Sequence, residues 1–278
     1  MSTSVNGTAG ITFNDGSVLG SQLGIFNRII DGGFIVNQRG YTSGTSLSSG
    51  TYAHDRWKAG SGGCTYTFTQ GALGVNTTIT ITAGTLVQVI EGCNLAEGGT
   101  YVLSWTGTAQ GRLNGGSYGA SGSVTVTDWT AGTNLNVEFN TGTLGNVQLV
   151  AGSAVSSYAY RPYGTELALC QRYYAKMSSA TSNNYTGFAF GSAPSTTQVN
   201  AYIKYPVTMR SAPTANYSTI GVSDGVNGIS AVSAVATLYT GTDSANIQFT
   251  VGTAVQYRPY IVLANNSATA YVDFSAEL

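Results

Sequence analysis

From Phe26 onward, apolar and polar side chains alternate along much of the chain with a period of two. The segments 64–69, 79–82, 86–91 and 101–106 follow it, as do 124–127, 135–139 and 147–150. Such alternation puts one face of a strand on a core and the other in solvent. Threonine is the usual polar partner here because its branched Cβ suits a pleated surface. Short strands punctuated by Gly62-Gly63, Gly98-Gly99 and Asn114-Gly115-Gly116 predict an antiparallel sandwich of jelly-roll type over residues 25–163.

Residues 165 to about 177 break this rhythm. Thr165 is a candidate cap, and Leu167, Cys170 and Tyr174 recur at helical spacing, which predicts a three-turn helix with those residues on one side. Strand patterns then return at 197–204, 229–239, 246–251, 260–263 and 270–274. Pro206 and Pro213 bracket Val207-Thr208-Met209-Arg210, which predicts an edge or bulged strand because proline cannot donate to a ladder. Residues 164–278 therefore read as the helix plus a smaller C-terminal β-sandwich.

Residues 1–24 are small, polar and glycine-rich, with an apolar island at Ile11-Thr12-Phe13 ahead of the tight-turn signal Asn14-Asp15-Gly16-Ser17. Ile11, Phe13, Val18 and Leu19 are costly to leave in water, so this arm is expected to dock on another surface as an anchor. The predicted fold class is all-β: two antiparallel β-sandwich, jelly-roll-like domains with one short helix between them, preceded by an extended N-terminal arm.

Composition narrows the partners. Charged residues make up only 8% of the 278, net charge is -1, and 37 glycines with abundant Thr, Ser and Asn supply the polarity. The 11 basic residues are scattered, so no stripe exists to neutralise nucleic-acid phosphates or to hold an anionic bilayer. No apolar run approaches the ~18 residues of a membrane span, and the start lacks a signal-peptide pattern, so folding in the cytoplasm is expected. Cys64, Cys93 and Cys170 are an odd number, far apart and without metal-site spacing, which favours buried thiols.

No catalytic motif stands out. His54 is the only histidine and sits in His54-Asp55-Arg56-Trp57, where packing and local pairing explain it better than a nucleophilic triad. Glycosidase chemistry needs two carboxylates about 5–10 Å apart. Glu91, Glu97, Asp128 and Glu138 are expected at strand ends or on exposed faces instead. No metal-ligand spacing occurs, and no cofactor is expected.

Glycan recognition has the better physical case, since a sugar offers an apolar face to aromatic rings and hydroxyls to planar amide and guanidinium groups. The segment Gln110–Gly119, expected as a loop between two strands, carries Arg112, Asn114 and Tyr118, and Trp129 lies at a predicted strand end. Asn183-Asn184-Tyr185 is a further candidate. Tyr160-Arg161-Pro162-Tyr163 recurs as Tyr257-Arg258-Pro259-Tyr260, and both are expected to end or edge strands, with Arg bonded to a nearby carbonyl or carboxylate.

Three clusters together resemble a module of bacteriophage and prophage fibre proteins: Asn27–Phe34 with Asn37-Gln38-Arg39-Gly40, Asp55-Arg56-Trp57, and 160–174, which includes Cys170-Gln171-Arg172-Tyr173-Tyr174. The opening 10–17 is similar to the junction that often precedes distal fibre domains, so the likeness covers most of the chain. It implies a jelly roll similar to carbohydrate-binding modules, followed by a C-terminal β domain. It further implies a homotrimeric virion fibre or spike that attaches through its arm to other virion proteins and binds host surface polysaccharide or lipopolysaccharide. A purely structural head or tail decoration and a polysaccharide depolymerase are the alternatives.

Overall fold

The computed structural model of the chain describes residues 4–6, 10–12, 18–19, 27–179 and 183–278. It is all-β and antiparallel, with one α-helix among the described residues. The contacts divide it into two units, residues 27–35 with 41–163 and residues 36–40 with 164–278. In the arm, β1 (Ser4–Asn6), β2 (Gly10–Thr12) and β3 (Val18–Leu19) form a small antiparallel ladder in which Ile11 lies opposite Leu19 and Thr12 opposite Val18. Phe13 and the predicted turn at 14–17 lie outside the described residues.

The first unit is a seven-stranded antiparallel sheet. Its strands are β4 (Lys58–Phe68), β5 (Ile79–Ile90), β6 (Gly99–Thr106), β7 (Gly111–Leu113), β8 (Val124–Trp129), β9 (Leu135–Phe139) and β10 (Gly142–Ala151). The order is β7-β9-β5-β10-β6-β8, with β4 also paired to β5. The two short strands expected at 79–82 and 86–91 are one strand. Ile79 and Ile81 face inward before Gly84, and Leu86, Gln88 and Ile90 face inward after it, so the alternation changes phase. Gly84 makes this possible: its φ is +70°, and a Cβ there would sit 2.1 Å from Gly63 O. Strand β10 serves two partners, pairing Gly142–Leu144 with β5 and Gly145–Ala151 with β6, through a register shift after Gly145. Trp57, Tyr66, Tyr101, Phe34 and Phe139 are fully buried in the resulting core.

Two tight turns close this core. In the first, Phe34 N donates to Asp31 O, with φ of +54° at Asp31 and +51° at Phe34. In the second, Trp57 N donates to His54 O, with φ of +71° at Arg56. The turns interlock: Trp57 Nε1 donates to Asp31 O at 2.9 Å, and the Phe34 ring lies 5.1 Å from Trp57 and 5.8 Å from His54. Left-handed backbone at such residues is costly and persists only where the surroundings enforce it. The two clusters read from the sequence as separate motifs are thus halves of one packing device. Gln88 completes it from β5, exchanging hydrogen bonds with Ile30 N (2.9 Å) and Ile30 O (2.7 Å).

In the second unit, α1 runs from Tyr163 to Gln171, two residues earlier than the expected start and well short of the expected end. Pro162, which has no N–H to lose, directly precedes it. The buried pair on α1 is Glu166 and Cys170, while Tyr174, expected on the same helical side, lies in β11 (Tyr174–Ser178). Strand β11 pairs with β19 (Tyr271–Ser275), which pairs on its other side with β14 (Thr214–Ser218). The ladder to β19 supplies the backbone partners that further helical turns would have supplied.

The remaining strands are β12 (Gly187–Ser195), β13 (Gln198–Lys204), β15 (Ile220–Ser223), β16 (Ile229–Thr240), β17 (Ser244–Val251) and β18 (Pro259–Ala264). They close into a barrel in the order β12-β13-β17-β16-β15-β18. Val199, Ile247, Phe249 and Val262 fill it. The expected strand at 207–210 is absent. Pro206 and Pro213 leave that stretch irregular, held by single bonds from Met209 N to Thr242 O and from Arg210 N to Arg172 O.

Residues 36–40 belong to this unit through specific contacts. Gln38 Nε2 donates to Tyr174 O at 2.8 Å, and the Arg39 guanidinium lies 3.7 Å over the Tyr174 ring and 3.1 Å from Glu277. The Tyr-Arg-Pro-Tyr echoes have different partners. Arg161 donates to Asn27 O and, at 2.9 Å, to Ile29 O, whereas Arg258 pairs with Asp224 at 2.9 Å and Pro259 opens β18. Cys64 and Cys170 are buried, but Cys93, expected inside, is at the surface.

Candidate functional site

Register alone assembles a cleft on the first unit. Strand β7 pairs with β9 so that Arg112 lies opposite Glu138; β9 pairs with β5 so that Glu138 lies opposite Val87; and β5 pairs with β4 so that Val87 lies opposite Lys58. Because side chains alternate across a sheet, these four share its outer face, while Leu113, Val137 and Phe139 point into the core. Asn136 and Val89 form the neighbouring outward pair, and Asn114 joins them through its N–H to Asn136 O at 2.8 Å. Ser49, Gly50, Gly60 and Ser61 wall the other side of a cleft of about 500 Å³.

Gly111 lets β7 lie this close. A Cβ there would meet Phe139 Cε1 at 2.8 Å and Trp105 Cη2 at 3.0 Å. Leu113 then passes into the Asn114-Gly115 turn, where φ is +45° and +74°, a conformation that asparagine tolerates and glycine favours. The segment expected to be a loop is therefore a short strand followed by a turn.

At the cleft's edge three side chains form one group. Arg112 contacts Glu138 Oε2 through Nη2 at 2.7 Å and Nε at 2.9 Å, Tyr118 Oη donates to Glu138 Oε1 at 3.1 Å, and the guanidinium lies 4.5 Å from the Tyr118 ring centroid. Desolvation and then the Glu138 charge push the Tyr118 hydroxyl above its ordinary pKa. The hydrogen bond to Glu138 raises that of Arg112. Lys58 lies 5.6 Å over the Tyr52 ring.

Arg112, Asn114 and Tyr118 are thus brought together. Trp129 does not line this cleft: it packs on the core from β8, with Nε1 donating to Thr133 O at 3.2 Å. Asn136, Glu138, Val87 and Val89 also line the cleft, and only the strand register reveals their shared face. Glu138, expected as an exposed carboxylate, is the group on which Arg112 and Tyr118 converge. The other candidate cluster is a local turn, in which Asn183 Oδ1 accepts from Tyr185 N and Asn184 Nδ2 donates to Asn266 Oδ1.

Amides at 114 and 136, an ion pair and a valine floor can meet hydroxyls and apolar ring faces together. His54 lies in the core, with Nδ1 2.8 Å from Tyr66 Oη and Nε2 3.3 Å from Gln70 Oε1, and burial lowers its pKa to about 4. Burial also pushes the Cys64 thiol up to about 12. Among the described residues no group of His, Cys, Asp and Glu is placed to hold a metal, and no helix is long and apolar enough to cross a membrane. No family model, curated protein or solved structure matches the chain.

Proposed function

We propose that this chain is a glycan-binding component of a bacteriophage virion fibre, without chemistry of its own. It is homotrimeric, as in the proteins that its sequence clusters resemble, and attaches to the particle through residues 1–24. The observation that carries the recognition reading is the cleft over β4, β5, β9 and β7, where Arg112, Asn114, Asn136 and Glu138 surround an apolar floor of Val87 and Val89. Planar amide and guanidinium groups beside small apolar surface complement the hydroxyls and C–H faces of a sugar. The paired charges of Arg112 and Glu138 fix the polar groups before a ligand arrives, which lowers the ordering cost of binding.

The test is calorimetric titration of purified bacterial surface polysaccharides into the full chain, beside an Asn114→Ala/Asn136→Ala variant. Saturable binding that weakens at least tenfold in the variant supports the cleft. Undiminished binding rejects the cleft as the site, and absence of binding to every polysaccharide of the host favours a structural decoration. A rise in reducing ends during the same incubation would identify a depolymerase instead. Deleting residues 1–24 should abolish incorporation into particles while both β units stay folded.

A further inference from the structure

The barrel carries a row of large side chains on its outer face. Phe190 on β12 lies opposite Tyr202 on β13, Tyr202 opposite Asn246 on β17, and Asn246 opposite Tyr239 on β16. The alternate positions Ala189, Ala201 and Ala245 are buried, so the row points outward. Phe190 is 75% exposed, Tyr202 61% and Tyr239 77%, with Leu238 beside them at 39%. On β16, Val232 and Val235 pack on the barrel core opposite Val251 and Phe249, while Ala234, Ala236 and Tyr239 share the outer face with the row. Asn246 Oδ1 is buried in this row with no hydrogen-bond partner within the chain.

We infer that this face of the barrel, centred on Phe190, Tyr202 and Tyr239, is where copies of this chain associate. At roughly 200 Å² per aromatic side chain, the three rings at these exposures present roughly 400 Å² of mostly apolar surface, as large as the biggest patches tolerated on monomers. Three such faces turned toward a common axis cover roughly 1,200 Å² in all before Leu238, Ala234 and Ala236 are added, and stable interfaces begin near ~1,200 Å². The chemistry is self-complementary. In β12, β13, β16 and β17 only Lys204 is charged, so copies meet with few opposed like charges. The flanking polar groups are neutral amides already bonded to one another, Gln198 to Gln248 at 3.2 Å and Gln248 to Asn200 at 3.3 Å, which forms a rim that need not be desolvated unpaired. Tyrosine and phenylalanine are enriched at the centres of such interfaces.

The inference deepens the oligomeric part of the proposed function and is independent of the cleft. Sedimentation equilibrium on the full chain, Phe190→Ser/Tyr202→Ser/Tyr239→Ser and Tyr160→Ser/Tyr257→Ser tests it, with circular dichroism to verify folding. The wild type is expected to sediment as a multiple of 28.7 kDa and the triple variant as a single chain, its association weakened at least a hundredfold. If the triple variant does not fold, Tyr239→Lys alone, which leaves the barrel interior untouched, is expected to dissociate the assembly. A triple variant that stays assembled while Tyr160→Ser/Tyr257→Ser dissociates places the interface elsewhere and overturns this inference alone. A monomeric wild type overturns both the inference and the oligomeric reading. A monomer whose triple variant loses polysaccharide binding shows the row to be a sugar platform and equally overturns it.

Discussion

The Arg112 guanidinium stacks 4.5 Å from the Tyr118 ring centroid while both side chains end on the same carboxylate, Glu138. Such a three-way arrangement holds each group by two contacts, so the cleft edge is set before any ligand arrives. Glu138 is the centre of this group although nothing in its immediate sequence distinguishes it.

Replacing Glu138 with Gln should therefore register at Tyr118. Its hydroxyl titrates above the ordinary tyrosine value because of desolvation first and the Glu138 charge second, with Arg112 opposing. In Glu138→Gln the Arg112 charge remains and the opposing carboxylate charge is gone, so the Tyr118 pKa should fall. A site-resolved NMR titration of the tyrosine ring carbons reads this directly, and an unchanged midpoint would show that the two groups do not interact in solution.

Acid should destabilise the first unit through His54. The unfolded chain takes up this proton near pH 6.5, the folded chain only near about 4, so the unfolded state binds more protons between those values. Stability is complete above pH 6.5 and falls as pH drops through that window, by about 3 kcal/mol in total. As the only histidine, its imidazole signals can be followed alone, and a folded-state midpoint near 6.5 would contradict its burial.

Gln88→Leu keeps the side-chain volume close to that of glutamine but strands Ile30 N and Ile30 O, both paired to it in the core. Each orphaned backbone group costs about 1–3 kcal/mol. Urea unfolding should show a loss of about 2–5 kcal/mol, and faster amide exchange at Ile30 should accompany it.

Glycines divide into two kinds. A Cβ on Gly191 would lie 1.9 Å from Asn200 O on the neighbouring barrel strand, whereas a Cβ on Gly62 meets nothing within 4 Å. Gly191→Ala should destabilise the barrel by about 2–3 kcal/mol, as overpacking does. Gly62→Ala should stay within about 0.5 kcal/mol of wild type, and thermal melts of the pair distinguish the two.

Arg258→Ala should raise the pKa of Asp224. That carboxyl is held well below the usual range, mainly by the amides of Asn227 and Val226 and further by Arg258. Because the folded-state pKa is depressed, its contribution is present above the ordinary carboxylate pKa and is lost as pH falls. The variant should shift the Asp224 NMR midpoint upward while the hairpin amide bonds keep it below normal.

Much of the strand content is legible because alternation is a local property. Segments such as Leu135–Phe139 and Ser244–Val251 show it plainly, and both are strands. Strand β12 is not legible in the sequence for a physical reason: its inward positions include Ala189 and Ala193 while the large Phe190 points outward, which inverts the usual pattern. Helical spacing continues through Tyr174, but the helix ends at Gln171 because Tyr174 pairs with Ser275 in β19. Residue type alone singles out Arg112, Asn114, Tyr118 and Trp129; the structure places Arg112 and Asn114 in the cleft, Tyr118 against Arg112 and Glu138, and Trp129 partly buried against the core.

By itself, then, the sequence determined the antiparallel β character, the one short helix and the low charge of the chain, since alternation and composition depend only on neighbouring residues. The tertiary structure decided which strands pair, and through register which outward residues meet. Arg112 faces Glu138 across 26 positions and Tyr202 faces Asn246 across 44, and no local pattern encodes such pairings. They are set by the joint burial of inward faces, by register shifts such as those flanking Gly84 in the β4–β5 ladder, and by closure of the barrel, all of which act over the whole chain at once.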